Sequence, residues 1–231
     1  MIRRFRLVWP DRRPFAGRDG RPIRLLAASD EPDPALEYEV NRLALGPVDG
    51  VLGCGDLEPH WLSFLGDAFQ APLVYVRGNH DKGGAWDARD GSMPLPLGAG
   101  EATRVAGIAI AGLEWPGVRQ RGNPRRDGLA WVHILRVAAR ALRAKLLGRT
   151  EPVLVMSHAA PAGAGDSPDA YHLGFAAYRW LMDRLRPPLW LHGHTAVASV
   201  PTLETVVGAT ALVNVTGAVL VELVPPDEGA A

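Results

Sequence analysis

The chain has 231 residues, of which 47% are hydrophobic and 22% charged, a composition typical of a soluble globular protein. Its 25 basic and 25 acidic residues balance, so no net charge attracts it to nucleic acid or to an anionic membrane. A single cysteine, Cys54, excludes an internal disulfide framework and fits a reducing compartment, and no apolar signal-peptide segment follows the basic start. We therefore expect a cytoplasmic protein without a membrane segment or an obligate partner.

Neither a linker nor an internal repeat divides the sequence, although its length would also suit two small domains. We therefore predict one domain over residues 1–231. Residues 1–22 are basic and rich in Pro, Gly and Arg, and they form either an N-terminal extension or an edge strand around Phe5–Trp9.

Apolar and amphipathic segments alternate in the first half of the chain. The predicted elements are strands over Ile23–Ala28, Val48–Leu52 and Leu73–Val76, and helices over Pro34–Leu45 and Pro59–Phe69. This alternation indicates parallel strands joined by crossover helices.

The second half begins with a Gly/Pro-rich loop over residues 82–100. Its predicted elements are a hairpin over residues 103–113, helices over 128–147 and 174–185, strands over 152–156 and 188–191, and a strand meander over 197–224. The last segment is long and apolar, but Gly208, Asn214, Gly217 and Glu222 interrupt it, which favours successive strands over a membrane helix.

Polar side chains follow five of these predicted strands. They are Asp30, Asp56, Asn79 with His80, His158, and His192 with His194. Each has an ordinary explanation when taken alone, such as a loop cap, a turn or a buried histidine. Together they are expected to converge, because the carboxyl ends of parallel strands meet at one edge of a sheet. Asp, Asn and His without Cys suit Mn, Fe or Zn better than Ca.

This ordered set resembles the motifs of the calcineurin-like metallophosphoesterases. The family pattern is Asp-x-His, Gly-Asp, Gly-Asn-His-Asp/Glu, a lone His, and Gly-His-x-His. The counterparts here are Asp30, Gly55-Asp56, Gly78-Asn79-His80-Asp81, His158 and Gly193-His194. The resemblance covers about Ile23 to Asn214. It implies two stacked mixed β-sheets flanked by helices, the four-layer αββα sandwich of the α/β class.

The resemblance also implies metal ligands. One metal would take Asp56, Asn79, His158 and His194, and all four are present. The other would take Asp30, the bridging Asp56 and two histidines, but Pro32 and Ala196 occupy those two positions.

Three explanations of this departure stay open: the chain binds a single ion, or Glu31 or Asp33 replaces the missing ligands, or His192 and His194 are themselves the His-x-His pair. Asp33 also suits a helix cap before Pro34. His192 otherwise supports the ligands or simply ends its strand.

The implied activity is hydrolysis of a small phosphate ester, a diester rather than a monoester, by metal-activated water. The ion expected is Mn²⁺, with Fe or Zn as alternatives, and one or two ions per chain are expected. His80 and Asp81 are the candidate catalytic residues. His80, held beside Asp81, would steady the developing charge or protonate the leaving oxygen. His172 and Asn214 are candidates for substrate contact, although Asn214 also suits a residue that orders the site.

Two other functions stay open. A catalytically weak relative would act as a metal- or phosphate-binding module. Nucleic-acid binding through the basic start and residues 119–126 is the least expected, and it would depend strongly on salt concentration.

Overall fold

The computed structural model describes residues 2–87, 93–98, 100–118, 125–148, 151–197 and 203–227, so most of the basic segment 119–126 lies outside the described residues. Within these ranges, five strands form the first sheet: β1 (Arg3–Val8), β2 (Ile23–Ser29), β3 (Gly50–Cys54), β4 (Leu73–Val76) and β11 (Gly217–Val224). Six strands of the same described residues form the second: β5 (Ala102–Val105), β6 (Ile108–Leu113), β7 (Val153–Ser157), β8 (Leu189–His192), β9 (Glu204–Val207) and β10 (Thr210–Asn214).

The strand order is β1-β11-β2-β3-β4 in the first sheet and β5-β6-β7-β8-β10-β9 in the second. Strands β2, β3 and β4 run parallel, as do β6, β7, β8 and β10. The remaining neighbours pair antiparallel, except that β1 runs parallel to β11. Both sheets are therefore mixed, with a parallel centre whose strand ends share one edge.

The α-helices lie outside the sheets and along the connections. Their bounds are α1 (Glu39–Leu45), α2 (Pro59–Phe69), α3 (Gly84–Asp87), α4 (Asp127–Leu146) and α5 (Ala176–Leu185), with short 3₁₀ helices at Arg13–Phe15 and Pro34–Glu37. None of the helices in the described ranges is long and apolar enough to cross a membrane.

Alternation of side chains along the strands divides the core into three layers. Leu25 and Ala27 of β2 face the cluster between the sheets, whereas Leu26 packs in the cluster with α2. In β8, Leu191 faces the space between the sheets and Trp190 packs with α4 and α5. Because successive side chains of a strand point to opposite faces, apolar strands buried on both faces produce the predicted αββα sandwich.

Three sequence-based expectations require correction. The helix predicted over Pro34–Leu45 is a 3₁₀ turn followed by α1, separated at the extended Tyr38. The loop predicted over residues 82–100 contains the short helix α3. The predicted C-terminal meander is wrong: β9 and β10 form a hairpin in the second sheet, while β11 crosses to the first and pairs with β2.

We expect Leu154→Ala to destabilise the fold by about 2–5 kcal/mol, because the side chain is fully buried between the sheets and its removal leaves a cavity. Leu142→Ala on the exposed side of α4 is the matched control, with a change within about 0.5 kcal/mol. Urea unfolding measures both. Equal losses of unfolding free energy in the two variants would contradict the assignment of Leu154 to the core between the sheets.

Candidate functional site

The candidate site lies at the carboxyl edge of both sheets. Asp30 follows β2, Asp56 follows β3, Asn79 follows β4, His158 follows β7 and His194 follows β8. One ligand atom from each of Asp30, Asp56, His158 and His194 lies within 4.8 Å of the others. The two sheets therefore contribute carboxylates and imidazoles to one cluster, hereafter the four-residue cluster.

Three members of the cluster have unusual backbone conformations. The φ angles are 62° at Asp30, 55° at Asp56 and 64° at His194, all in the left-handed region. This region costs a residue other than glycine roughly 1 kcal/mol or more, and such residues persist where the surrounding structure holds them. Three of them within one cluster indicate that its geometry is maintained at the expense of local strain.

Asp56 lies at the centre of the hydrogen-bond network. Its Oδ1 accepts a hydrogen bond from the backbone N–H of His80 at 2.8 Å, and its Oδ2 lies 3.1 Å from Nε2 of His158. Burial alone would raise the pKa of Asp56, but the charge of His158 and these hydrogen bonds lower it. Asp56 is therefore ionised, as a metal ligand must be.

Asp81 is a buried carboxylate that joins two turns. Its Oδ2 accepts hydrogen bonds from the backbone N–H groups of Asp56 at 2.8 Å and of Gly78 at 2.7 Å. Burial and the nearby charge of Asp56 raise its pKa to about 6. The sequence suggested a catalytic role for Asp81, but its oxygen is engaged with the backbone and its side chain is 2% exposed. These contacts favour a role in positioning the two turns.

His158 is fully buried and is held at both ring nitrogens. Nδ1 lies 2.9 Å from the carbonyl oxygen of Cys54, and Nε2 lies 2.8 Å from Oδ1 of Asn79. Burial would lower its pKa, but the charges of Asp56 and Asp30 outweigh this and raise it to about 9. Donation of Nδ1–H to the carbonyl leaves Nε2, once deprotonated, as the nitrogen that can bind a metal.

His194 enters the cluster from the second sheet. Its backbone N–H donates to Oδ2 of Asp30 at 2.9 Å, and its Nε2 lies 2.9 Å from the carbonyl oxygen of Tyr171. Burial and the charge of His158 lower its pKa to about 4. It is thus a neutral imidazole whose Nδ1 is available to a ligand when Nε2–H is donated to the carbonyl.

Two glycines allow the strand-end turns to approach one another. A Cβ atom at Gly78 would collide with the carboxylate of Asp56, and one at Gly193 would collide with Ser29 and Asp30. The glycines that precede Asn79 and His194 are therefore a steric requirement of the cluster.

The carboxylate of Asp30 is engaged by the protein itself. Its Oδ2 accepts from the backbone of His194 and lies 3.3 Å from Oγ1 of Thr216. Thr216 precedes β11, the strand that the sequence placed in a meander, so its position could not be predicted. The backbone N–H of Asp30 donates to Gly55 at 3.1 Å.

The suggested substitute ligands lie outside the four-residue cluster. Glu31 is exposed, and the carboxylate of Asp33 caps the 3₁₀ helix by accepting from the N–H of Ala35 at 2.9 Å. His192 is buried, with its Nδ1 3.1 Å from the carbonyl oxygen of Gly193, and burial lowers its pKa to about 4. These contacts therefore do not favour Asp33 or His192 as a metal ligand.

Of the two suggested substrate contacts, one lies at the rim and the other behind the site. The ring of His172 is 5.2 Å from that of His194, and its Nδ1 lies 2.9 Å from the carboxylate of Asp169. Asn214 is 3% exposed and bonds the backbone of Thr195 and Thr216. These contacts favour the other role considered for Asn214, the ordering of the loop after His194.

Two aromatic residues that sequence reasoning missed complete the site. Trp115 is buried, with ring centroids 5.1 Å from His194 and 6.0 Å from His158. The hydroxyl of Tyr171 contacts Asn79 and His80, whose side chain is 70% exposed. Neither aromatic residue belongs to a motif, so the sequence did not indicate a place for them in the site. Its only signal was that Tyr171 lies next to His172.

The donor set fits a divalent transition metal. Asp56, Asn79, His158 and His194 offer a carboxylate, an amide oxygen and two imidazoles, a mixture suited to Mn, Fe or Zn. The atoms that would bind the ion are oriented by backbone carbonyl groups behind the two histidines. This is the arrangement expected around metal-binding imidazoles.

Similarity to one solved structure, that of TT1561, supports the fold. A structure of TT1561 from Thermus thermophilus is 18% identical with a TM-score of 0.58, and the alignment covers 85% of this chain and 90% of that one. A zinc complex of Vps29 from Entamoeba histolytica is 14% identical with a TM-score of 0.40, over 84% of this chain and 74% of that one.

Sequence comparison identifies the family. No curated protein sequence matches the chain significantly. The family model described as calcineurin-like phosphoesterase matches residues 40–198, more than half of the chain, and this range includes all the cluster residues except Asp30. The chain therefore belongs to the calcineurin-like phosphoesterase family.

Proposed function

We propose that the chain is a metal-dependent phosphodiesterase that binds one divalent ion, Mn²⁺ first among the candidates, through Asp56, Asn79, His158 and His194. The observation that carries this proposal is that ligand atoms of Asp56, His158 and His194 lie within 4.8 Å of one another, with Oδ1 of Asn79 2.8 Å from Nε2 of His158. The exposed imidazole of His80 lies beside them. A divalent ion in such a site polarises a phosphoryl oxygen and lowers the pKa of a bound water.

Several contacts favour one ion over two. Asp30 uses Oδ2 to bind the backbone of His194 and lies against the hydroxyl of Thr216. Pro32 and Ala196 carry no ligand atom, and Asp33 caps a helix. The half of the site that Asp30 would share with Asp56 thus offers too few donors, so we assign Asp30 a positioning role.

The other residues supply acid–base chemistry and order. His80 is exposed, and its Nε2 lies 4.0 Å from Oδ2 of Asp56, so it can reach a substrate bound at the cluster and donate a proton to the leaving oxygen. Asp81 holds the turn that carries His80. His172, at the rim, is our candidate for substrate contact.

A diester suits this site better than a monoester. Within the described ranges, no Arg or Lys side chain hydrogen-bonds to a side chain of the four-residue cluster. A monoester carries about two negative charges near neutral pH and a diester only one, so the diester requires less positive charge. We propose a small diester, in a single domain that acts without an obligate partner.

The runner-up is a metal- or phosphate-binding module without activity. The loss of two family histidines, at Pro32 and Ala196, favours it. The exposed His80 beside the cluster has no evident use in such a module, and this is why we prefer the enzyme.

We expect Mn²⁺-dependent hydrolysis of bis(p-nitrophenyl) phosphate, faster than that of p-nitrophenyl phosphate. His80→Ala should lower kcat by about 10²–10⁴-fold by removing the proton donor. His60→Ala, at an exposed position of α2, is the matched control and should leave kcat unchanged. Hydrolysis that survives chelation, or that does not need His80, would favour the binding module or a contaminant.

We also expect Mn²⁺ uptake to release about one proton near pH 7. The pKa of His158 is raised to about 9 in the metal-free chain, so its imidazole is protonated there and must become neutral to bind the ion. Affinity should rise with pH by up to about tenfold per unit and level off above the pKa of His158.

Isothermal titration calorimetry in buffers of different ionisation enthalpy measures this proton release. Heats that do not depend on the buffer at pH 7 would show that His158 is already neutral or does not bind the ion.

A further inference from the structure

Tyr171 contacts three residues of the site. Its hydroxyl oxygen lies 2.8 Å from Nδ2 of Asn79 and 2.7 Å from Nε2 of His80, and its backbone carbonyl oxygen lies 2.9 Å from Nε2 of His194. Asn79 follows the first sheet and His194 the second. One loop residue therefore connects the two halves of the site.

The donors and acceptors of this network fix two side chains. Nδ2 of Asn79 donates a hydrogen bond to the phenol oxygen. Oδ1 of Asn79 is thereby directed toward Nε2 of His158, at 2.8 Å. To donate a proton and end as a neutral imidazole, His80 must carry protons on both ring nitrogens. Its Nε2–H then donates to the phenol oxygen, and its Nδ1–H is the proton left for a substrate oxygen.

Tyr171 is itself held in place. Its backbone N–H and that of His172 both donate to Oδ1 of Asp169 at 3.0 Å, and its ring packs 5.2 Å from the ring of His194. Tyr171 is 54% exposed but has these fixed contacts, whereas the side chain of His80 is 70% exposed. An imidazole so exposed would sample several rotamers, and the phenol holds it in one of them.

We propose that Tyr171 is a positioning residue: its hydroxyl orients the amide of Asn79 toward the metal site and holds the imidazole of His80 ready for proton donation. This inference rests on the proposed phosphodiesterase function. The hydroxyl acts through the two side chains that it fixes, and it contacts no reacting atom.

The test compares Tyr171→Phe, which removes the hydroxyl but keeps the ring and the backbone carbonyl, with the unaltered protein. Loss of a group that orients metal ligands typically costs about 10–100-fold in activity or metal affinity. We expect kcat for bis(p-nitrophenyl) phosphate to fall by about that factor, with KM within about twofold. Tyr38→Phe is the control, since Tyr38 is 63% exposed and forms no hydrogen bond through its hydroxyl among the described residues.

A second readout does not need an active enzyme. Long-range ¹H–¹⁵N correlation spectra of the metal-free protein should show that Tyr171→Phe shifts the Nε2 resonance of His80 and leaves that of His60 in place. Unchanged His80 resonances, or an unchanged kcat, would overturn the positioning role. If the unaltered protein hydrolyses nothing, the proposed function fails, and the His80 shift together with Mn²⁺ affinity decides the role of Tyr171.

Discussion

The site depends on one buried carboxylate that bonds two backbone amides. Asp81 accepts hydrogen bonds from the N–H groups of Asp56 and Gly78, and so joins the turn after β3 to the turn after β4. Hydrogen bonds between an anion and backbone amides are strong where water is excluded. With this link in place, Asp56 accepts a hydrogen bond from the backbone N–H of His80, and Oδ1 of Asn79 contacts Nε2 of His158.

The second sheet is attached to this framework through residues that also shape the cluster. Arg77, after β4, forms an ion pair with Glu114, after β6, at 3.0 Å, and the N–H of Trp115 donates to the carbonyl of Arg77. On the other side, Asp30 accepts a hydrogen bond from the backbone N–H of His194. The Asp30 carboxylate therefore contributes to the contact between the two sheets.

Much of this organisation could be predicted from sequence, because it depends on local patterns. Helix α2 begins and ends at Pro59 and Phe69 as expected. The polar residues after the strands converge within each sheet as parallel pairing predicts, and between the sheets because their two carboxyl edges meet. The expectations that were wrong concern contacts between residues far apart in the sequence. The crossing of β11 to the first sheet places Thr216 beside Asp30, and no periodicity of β11 selects its sheet. The contacts of Tyr171 likewise arise from a loop whose path only the folded chain defines.

The central claim is that one complete ligand set binds one ion, and metal content per chain tests it most directly. Bound metal is measured by elemental analysis after purification without chelator, and again after loading with Mn²⁺. Our account predicts close to one equivalent, lost in His158→Ala and kept in Asp30→Asn. Close to two equivalents would contradict it, since Asp30 would then have to be a ligand of a second ion. No bound metal after loading would contradict the metalloenzyme itself.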